Sequence, residues 1–133
     1  MKSRNNKIVL DASALLALLN REQGQEKVAA VMNQATMNSV NLAEAITKLA
    51  RLGIPASEIE LILVGLDIDT VDFDMRMALA AGTLITQTQE FGLSLGDRAC
   101  LAFAKSQGYS VMTADKAWQN VQSFLKVEIQ FIR

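Results

Sequence analysis

The chain contains no histidine, one cysteine and one proline, and only 5% of its residues are aromatic. Without imidazole there is no Ser-His-Asp triad, no histidine acid–base chemistry and none of the usual zinc sites. The lone Cys100 excludes a disulfide framework and a cysteine-rich metal centre, and makes the cytoplasm the expected compartment. Few aromatics leave little material for stacking on single-stranded bases. Long hydrophobic runs are also missing: the apolar stretches fall far short of the ~20 residues a membrane span needs. The first seven residues, MKSRNNK, are polar and basic, but the apolar run behind them is broken by Asp11, which argues against a secretory signal. Neither sign of charge is in surplus: 13 Lys+Arg stand against 14 Asp+Glu, so the total supplies no basic face for nucleic acid. Hydrolytic chemistry here must rest on carboxylates, hydroxyls, lysines or a bound metal.

What is present is apolar. Half of the 133 residues are hydrophobic, and the mean hydropathy is +0.20. The length suits a single domain, 1–133, with one core. An apolar surplus in so small a chain points to a surface buried against a partner.

Short apolar runs alternate with helical patterns. KIVL reads as a buried strand ending at Asp11. Helices follow over 13–21 and 25–33, then a short strand in ATMNSV. Asn41 is expected to cap a helix running to Arg51, closed by Gly53, with Pro55 opening the next. Residues 57–66 are so apolar that a helix covered on more than one side is expected. DTVDF alternates like an edge strand, and 74–88 reads as a helix. Ser94 opens another helix, ended by Gly108, and SVMT is a buried strand. KVEIQFI is a last edge strand. The alternation predicts an α/β fold: a three-layer α/β/α sandwich around a central, mostly parallel sheet.

Four acids fall where a strand hands over to a helix: Asp11, Glu44, Asp97 and Asp115. In an open α/β sheet such positions gather outside the carboxyl ends of the strands. Carboxylates brought together repel, so a hard divalent cation with oxygen ligands is the natural occupant. Basic residues accompany them: Lys48 and Arg51 after Glu44, Arg98 beside Asp97, Lys116 beside Asp115. An acidic centre with a basic rim suits a metal and a phosphate-bearing substrate. Ser13 and Thr113 could offer hydroxyls to a water or phosphate, or could brace a turn. Each acid alone has a plainer reading as a helix cap. Asn41 to Glu44 and Ser94 to Asp97 both have the spacing of a capping box. Cys100 and Trp118 read as packing residues.

These segments resemble a family. IVLDASALLALL, SVNLAEAITKLARLGI, LSLGDRACLAFA and VMTADKAW are similar, in order and spacing, to PIN-domain ribonucleases, most closely the VapC toxins of toxin–antitoxin pairs. The resemblance implies a PIN-like fold and metal-site acids at Asp11, Glu44, Asp97 and Asp115, with the family's hydroxyl at Thr113. It implies Mg²⁺- or Mn²⁺-dependent endonucleolytic cleavage of RNA, a homodimer and a small antitoxin partner. Asn38 departs from the serine that many relatives carry before the Asn-x-x-Glu segment. The alternatives within this fold are a PIN nuclease of RNA processing and a silent PIN scaffold that binds RNA or a partner. A haloacid-dehalogenase-type phosphatase would want an acid at position 13, where the chain has Ser13. A receiver domain would want adjacent acids before the first helix, and NKIVLDAS has one.

Overall fold

A computed structural model describes residues 7–133. The expectations for the basic N-terminal segment lie outside the described residues, apart from Lys7. Five short strands form one sheet: β1 (Ile8–Leu10), β2 (Ala35–Asn38), β3 (Asp69–Val71), β4 (Ser110–Thr113) and β5 (Ile129–Phe131). Their order is β3-β2-β1-β4-β5, and every neighbouring pair is parallel. The sheet is thus wholly parallel, with the expected edge strands at its two sides.

Both faces are covered, which is why the inner strands read as unbroken apolar runs. Ile8, Leu10 and Met112 pack to one side with α1 (Ala12–Leu19), α2 (Gln25–Val31), α3 (Ser39–Arg51) and α4 (Ala56–Leu66). Val9, Val111 and Ile129 pack to the other with α5 (Met75–Thr83), α7 (Leu95–Gln107) and α8 (Gln119–Leu125). A short helix, α6 (Ile85–Thr88), follows α5, so the expected 74–88 helix is interrupted at Leu84. A helix is expected after Asp115, without bounds; there a 3-10 turn over Lys116–Trp118 leads into α8. Cys100 and Trp118 are core residues, as expected. Among the described residues no helix is long and apolar enough to cross a membrane.

Two expectations need correction. Helix α3 begins at Ser39, and its cap is Asn38, whose Oδ1 accepts from the Val40 and Asn41 amides at 2.9 and 3.1 Å. Asn41 lies inside the helix. Helix α4 is not enclosed: only Ile59 is buried, while Leu61 and Val64 are 73% and 71% exposed. It lies against α3, and its outer apolar face has no cover among the described residues.

The chain starts at β1 in the middle, builds outward to β2 and β3, then crosses to β4 and β5 on the other side. The order therefore reverses between β1 and β4. In open α/β sheets the crevice outside the carboxyl ends at such a point is where ligands bind.

Gly24 fixes one end of the fold. Its φ is +95°, and a Cβ there would run into the Ile132 carbonyl and side chain. Gly24→Ala should cost on the order of 2 kcal/mol, from backbone strain plus steric overlap. Urea unfolding should show a lower midpoint with an unchanged slope. An unchanged midpoint would mean that Ile132 does not pack on this turn.

Candidate active site

Asp11 follows β1 and caps α1. It is only 7% exposed. Its Oδ1 accepts from the Ala14 amide at 2.9 Å and the Ser13 hydroxyl at 2.7 Å. Its Oδ2 accepts from the Thr113 hydroxyl, at the end of β4, at 2.6 Å. Each hydroxyl is itself held from behind: Ser13 Oγ accepts from the Ala114 amide at 2.9 Å, and Thr113 Oγ1 from the Asp115 amide at 3.0 Å. Each hydroxyl takes one backbone N–H on a lone pair and gives its own proton to the Asp11 carboxylate, which can only accept. Ser13 and Thr113 therefore act as braces for the carboxylate, across the point where the sheet order reverses.

Burial raises the Asp11 pKa above its ordinary value; the bonds from Thr113, Ser13 and Ala14 oppose this, and the charge of Asp97 adds to the rise. Burial also pushes the Cys100 thiol well up, helped by the charges of Asp11, Asp97 and Glu44. Three acids from three separate segments thus lie within electrostatic reach of one buried thiol.

Glu44 sits in the second turn of α3, half-buried. It is not a capping-box partner, because the cap lies at Asn38. Instead its Oε1 accepts from Asn41 Nδ2 at 2.9 Å. The same Nδ2 donates to the Gly96 carbonyl at 3.0 Å. A Cβ on Gly96 would overlap the Glu44 carboxylate. Glycine is what lets Glu44 lie against the first turn of α7. Asp97, in that turn, does form the expected capping box: its Oδ2 accepts from the Ser94 amide at 3.0 Å, and Ser94 Oγ accepts from the Asp97 amide at 3.1 Å. Asp115 is the most exposed of the four acids, and its Oδ1 caps the 3-10 turn 116–118 through the Ala117 amide at 3.0 Å.

Asn38, Asn41 and Gly96 are the site residues that sequence reasoning missed. The legible signal was the spacing of Asn41 and Glu44, which puts both on one helix face.

The basic residues divide. Lys48 and Arg51 are exposed in the last turn of α3. Lys48 borders a shallow groove of about 300 Å³ that it shares with Ser13, Asn20 and Arg133. Lys116 is exposed beside Asp115. Arg98 is engaged elsewhere: its Nη1 donates to the Ala81 and Gly82 carbonyls at 2.8 and 3.3 Å, near the end of α5. It is a clamp between α7 and α5, not a rim group or a partner of Asp97.

Among the described residues the ion pairs are Lys7–Asp69 at 2.9 Å and Arg133–Glu22 at 3.2 Å, so none of the four acids has a cationic side chain as partner. Nor are any three acids among those residues gathered closely enough to hold a metal ion as they stand. The donor set nevertheless fits a hard cation. It is all oxygen, Gly96 leaves room for the Glu44 carboxylate, and Glu44, Asp97 and Asp115 each hydrogen-bond the protein through one oxygen only. Mg²⁺ keeps several waters and binds through one or two carboxylates, so a cage is not required.

The PIN domain family model matches residues 8–123. The chain belongs to the PIN-domain family. Similar solved structures include DNA-bound VapBC from Salmonella typhimurium, at 19% identity and TM-score 0.70 over 96% of this PIN domain and 98% of that chain. FitAcB from Neisseria gonorrhoeae has 18% identity and TM-score 0.67 over 94% and 97% of the two chains. A member of the VapBC toxin–antitoxin family from Mycobacterium tuberculosis has 22% identity and TM-score 0.62 over 95% and 98%. At these identities the likeness is one of fold. No curated protein matches the chain in sequence.

The buried carboxylate gives this PIN domain a pH signature. The folded state takes up the Asp11 proton at a higher pH than the unfolded chain does. Its destabilising effect is therefore present above the folded pKa and fades as pH falls through the folded pKa towards the unfolded one. In EDTA, Asp11→Asn should melt no lower than wild type at pH 7, with any advantage shrinking as the pH falls towards 4. A variant melting equally far below wild type at every pH would show that the carboxylate's hydrogen bonds outweigh its burial.

Proposed function

We propose that this PIN domain is a metal-dependent endoribonuclease, and the toxin of a toxin–antitoxin pair, with the whole chain acting as one nuclease domain. The observation that carries the reading is an anionic centre without a cation of its own. Among the described residues Asp11 is buried with no ion pair, the charge of Asp97 acts on it, and Glu44 and Asp97 each hydrogen-bond the protein through one oxygen. Membership of a nuclease family supplies the reaction class.

Asp11, Glu44 and Asp97 would hold Mg²⁺ or Mn²⁺, with Asp115 at the outer side. When bound, such an ion activates a water and neutralises phosphate oxygens in an in-line displacement. The chain's own residues supply the rest. Ser13 and Thr113 keep Asp11 in a single orientation, and their protons, committed to its oxygens, favour the carboxylate form against its burial. Lys48 and Arg51 on one side, and Lys116 on the other, offer charges to the RNA backbone. With no histidine, nothing here provides the paired acid and base that attack by the RNA 2′-hydroxyl would need. The products expected are therefore a 5′-phosphate and a 3′-hydroxyl.

The fold likeness to VapBC and FitAcB supports an antitoxin as partner. The uncovered apolar face of α4 supports a buried contact with a helical partner or a second copy of the chain. The carboxylates proposed to hold the metal would also receive a guanidinium, which pairs with carboxylates through a bidentate fork. An antitoxin arginine would then compete with the metal.

Cleavage of a structured RNA should need Mn²⁺ or Mg²⁺ and stop in excess EDTA. Glu44→Gln and Asp97→Asn should each lower the rate at least ~100-fold, about 2.7 kcal/mol of lost transition-state stabilisation. Undiminished cleavage in EDTA would rule out the mechanism. Lys48→Ala and Arg51→Ala should each flatten the salt dependence of RNA binding by about 0.7 in log–log slope, as expected for one lost contact to a single strand. Arg98→Ala should leave that slope alone and lower stability by about 1–3 kcal/mol instead, because two helix-end carbonyls lose their donor.

A further inference from the structure

Asn41 is 1% exposed and Asn38 is fully buried, yet neither has a donor to spare. The capping bonds decide how both amides lie. Asn38 Oδ1 must face the Val40 and Asn41 backbone amides, so its Nδ2 faces Asn41 Oδ1 at 2.7 Å and the Ala99 carbonyl at 3.4 Å. That in turn directs Asn41 Nδ2 away from Asn38. Its two protons fall to Glu44 Oε1 and the Gly96 carbonyl. A helix cap on α3 thus sets, through two buried amides, where a carboxylate stands against α7.

Building on the metal-dependent reading above, we propose that Asn41 is a positioning residue: held by Asn38, it fixes Glu44 against the Gly96 turn so that Glu44 and Asp97, from different helices, face one divalent cation. Without Asn41, Glu44 is free to swing to solvent, and the cation loses a pre-placed ligand. Groups that orient metal ligands in this way typically set affinity over one to two orders of magnitude.

The test is a double-mutant cycle in Mn²⁺ affinity, measured by titration calorimetry on the full chain, without RNA. Asn41→Leu keeps the volume and removes the donors. It should weaken Mn²⁺ binding about tenfold or more in the wild-type background and change nothing in a Glu44→Ala background. Gly96→Ala reaches the same carboxylate from the other side and should show the same dependence on Glu44. It is also the variant that decides the matter if Asn41→Leu does not fold. A merely structural role for Asn41 predicts equal losses with and without Glu44, and that result would overturn the proposal. So would wild-type affinity in both variants, which would leave the metal reading standing. Absence of Mn²⁺ binding by the wild type would remove the metal reading and this inference together.

Discussion

The Asp11 carboxylate, buried where the strand order reverses, is the constraint on which the rest of the site depends. A carboxylate without a cation is costly to bury, and burial is tolerated only when its lone pairs are met. Here they are met from two directions. Ala14 and Ser13 belong to the helix that Asp11 itself caps, and Thr113 belongs to β4. The third bond can form only if β4 lies directly beside β1, in the register that pairs Leu10 with Met112. Sheet topology and acid placement are therefore one feature. The backbone amides of Ala114 and Asp115, turned onto Ser13 and Thr113, carry the same constraint into the loop that bears the fourth acid.

The other two inner acids come from helices on opposite faces of the sheet. Helix α3 packs mainly with the β1-side cluster, α7 with the cluster on the other face. They meet at the carboxyl edge, where Asn41 reaches the Gly96 carbonyl and the Glu44 carboxylate occupies the space that a side chain on Gly96 would fill. Helix-on-helix contact this close needs a residue without a Cβ. The polar atoms it buries are satisfied by the two asparagines, so the approach leaves no orphaned amide there. Local geometry that looks like packing is also what places the Glu44 carboxylate against α7.

Much of this was legible in the sequence, for identifiable reasons. Strands buried on both faces announce themselves as short apolar runs, and β1 and β4 are of that kind. The acids stood out because each followed such a run or opened a helix. The Ser94–Asp97 capping box was readable because all its partners lie within one turn. The misreadings share a cause. Asn38 and Asn41 are both competent caps, and local spacing cannot choose between them; the choice falls to Asn38 because only there does the chain leave β2 at the edge where Ala99 and Gly96 wait. Arg98 looked like a rim group because it adjoins Asp97, yet adjacent helical residues point to different faces, and its face meets α5. The apolarity of α4 suggested enclosure, but periodicity reports that a face is apolar without saying which molecule covers it. Gly96 carried no signal, since its role exists only against Glu44, distant in sequence.

The placement of charge has a last consequence under the proposed function. The chain is nearly neutral, only four of its 14 acids belong to the candidate site, and Arg98 is withdrawn from that site to hold α5. Lys48, Arg51 and Lys116 remain exposed, too few to attract a polyanion strongly against the four carboxylates. Without a divalent ion the site repels the phosphate it is meant to cleave; with one, the local sign reverses. Metal and RNA are then linked ligands, and linkage is reciprocal: whatever factor the ion contributes to RNA affinity, bound RNA returns to the ion. A weakly caged, water-rich ion that tightens when a phosphate arrives is compatible with an open arrangement in which Glu44, Asp97 and Asp115 are each hydrogen-bonded, among the described residues, through one oxygen. A guanidinium from a partner protein would satisfy the same sign reversal without chemistry, which is why a single acidic edge could serve both catalysis and its inhibition.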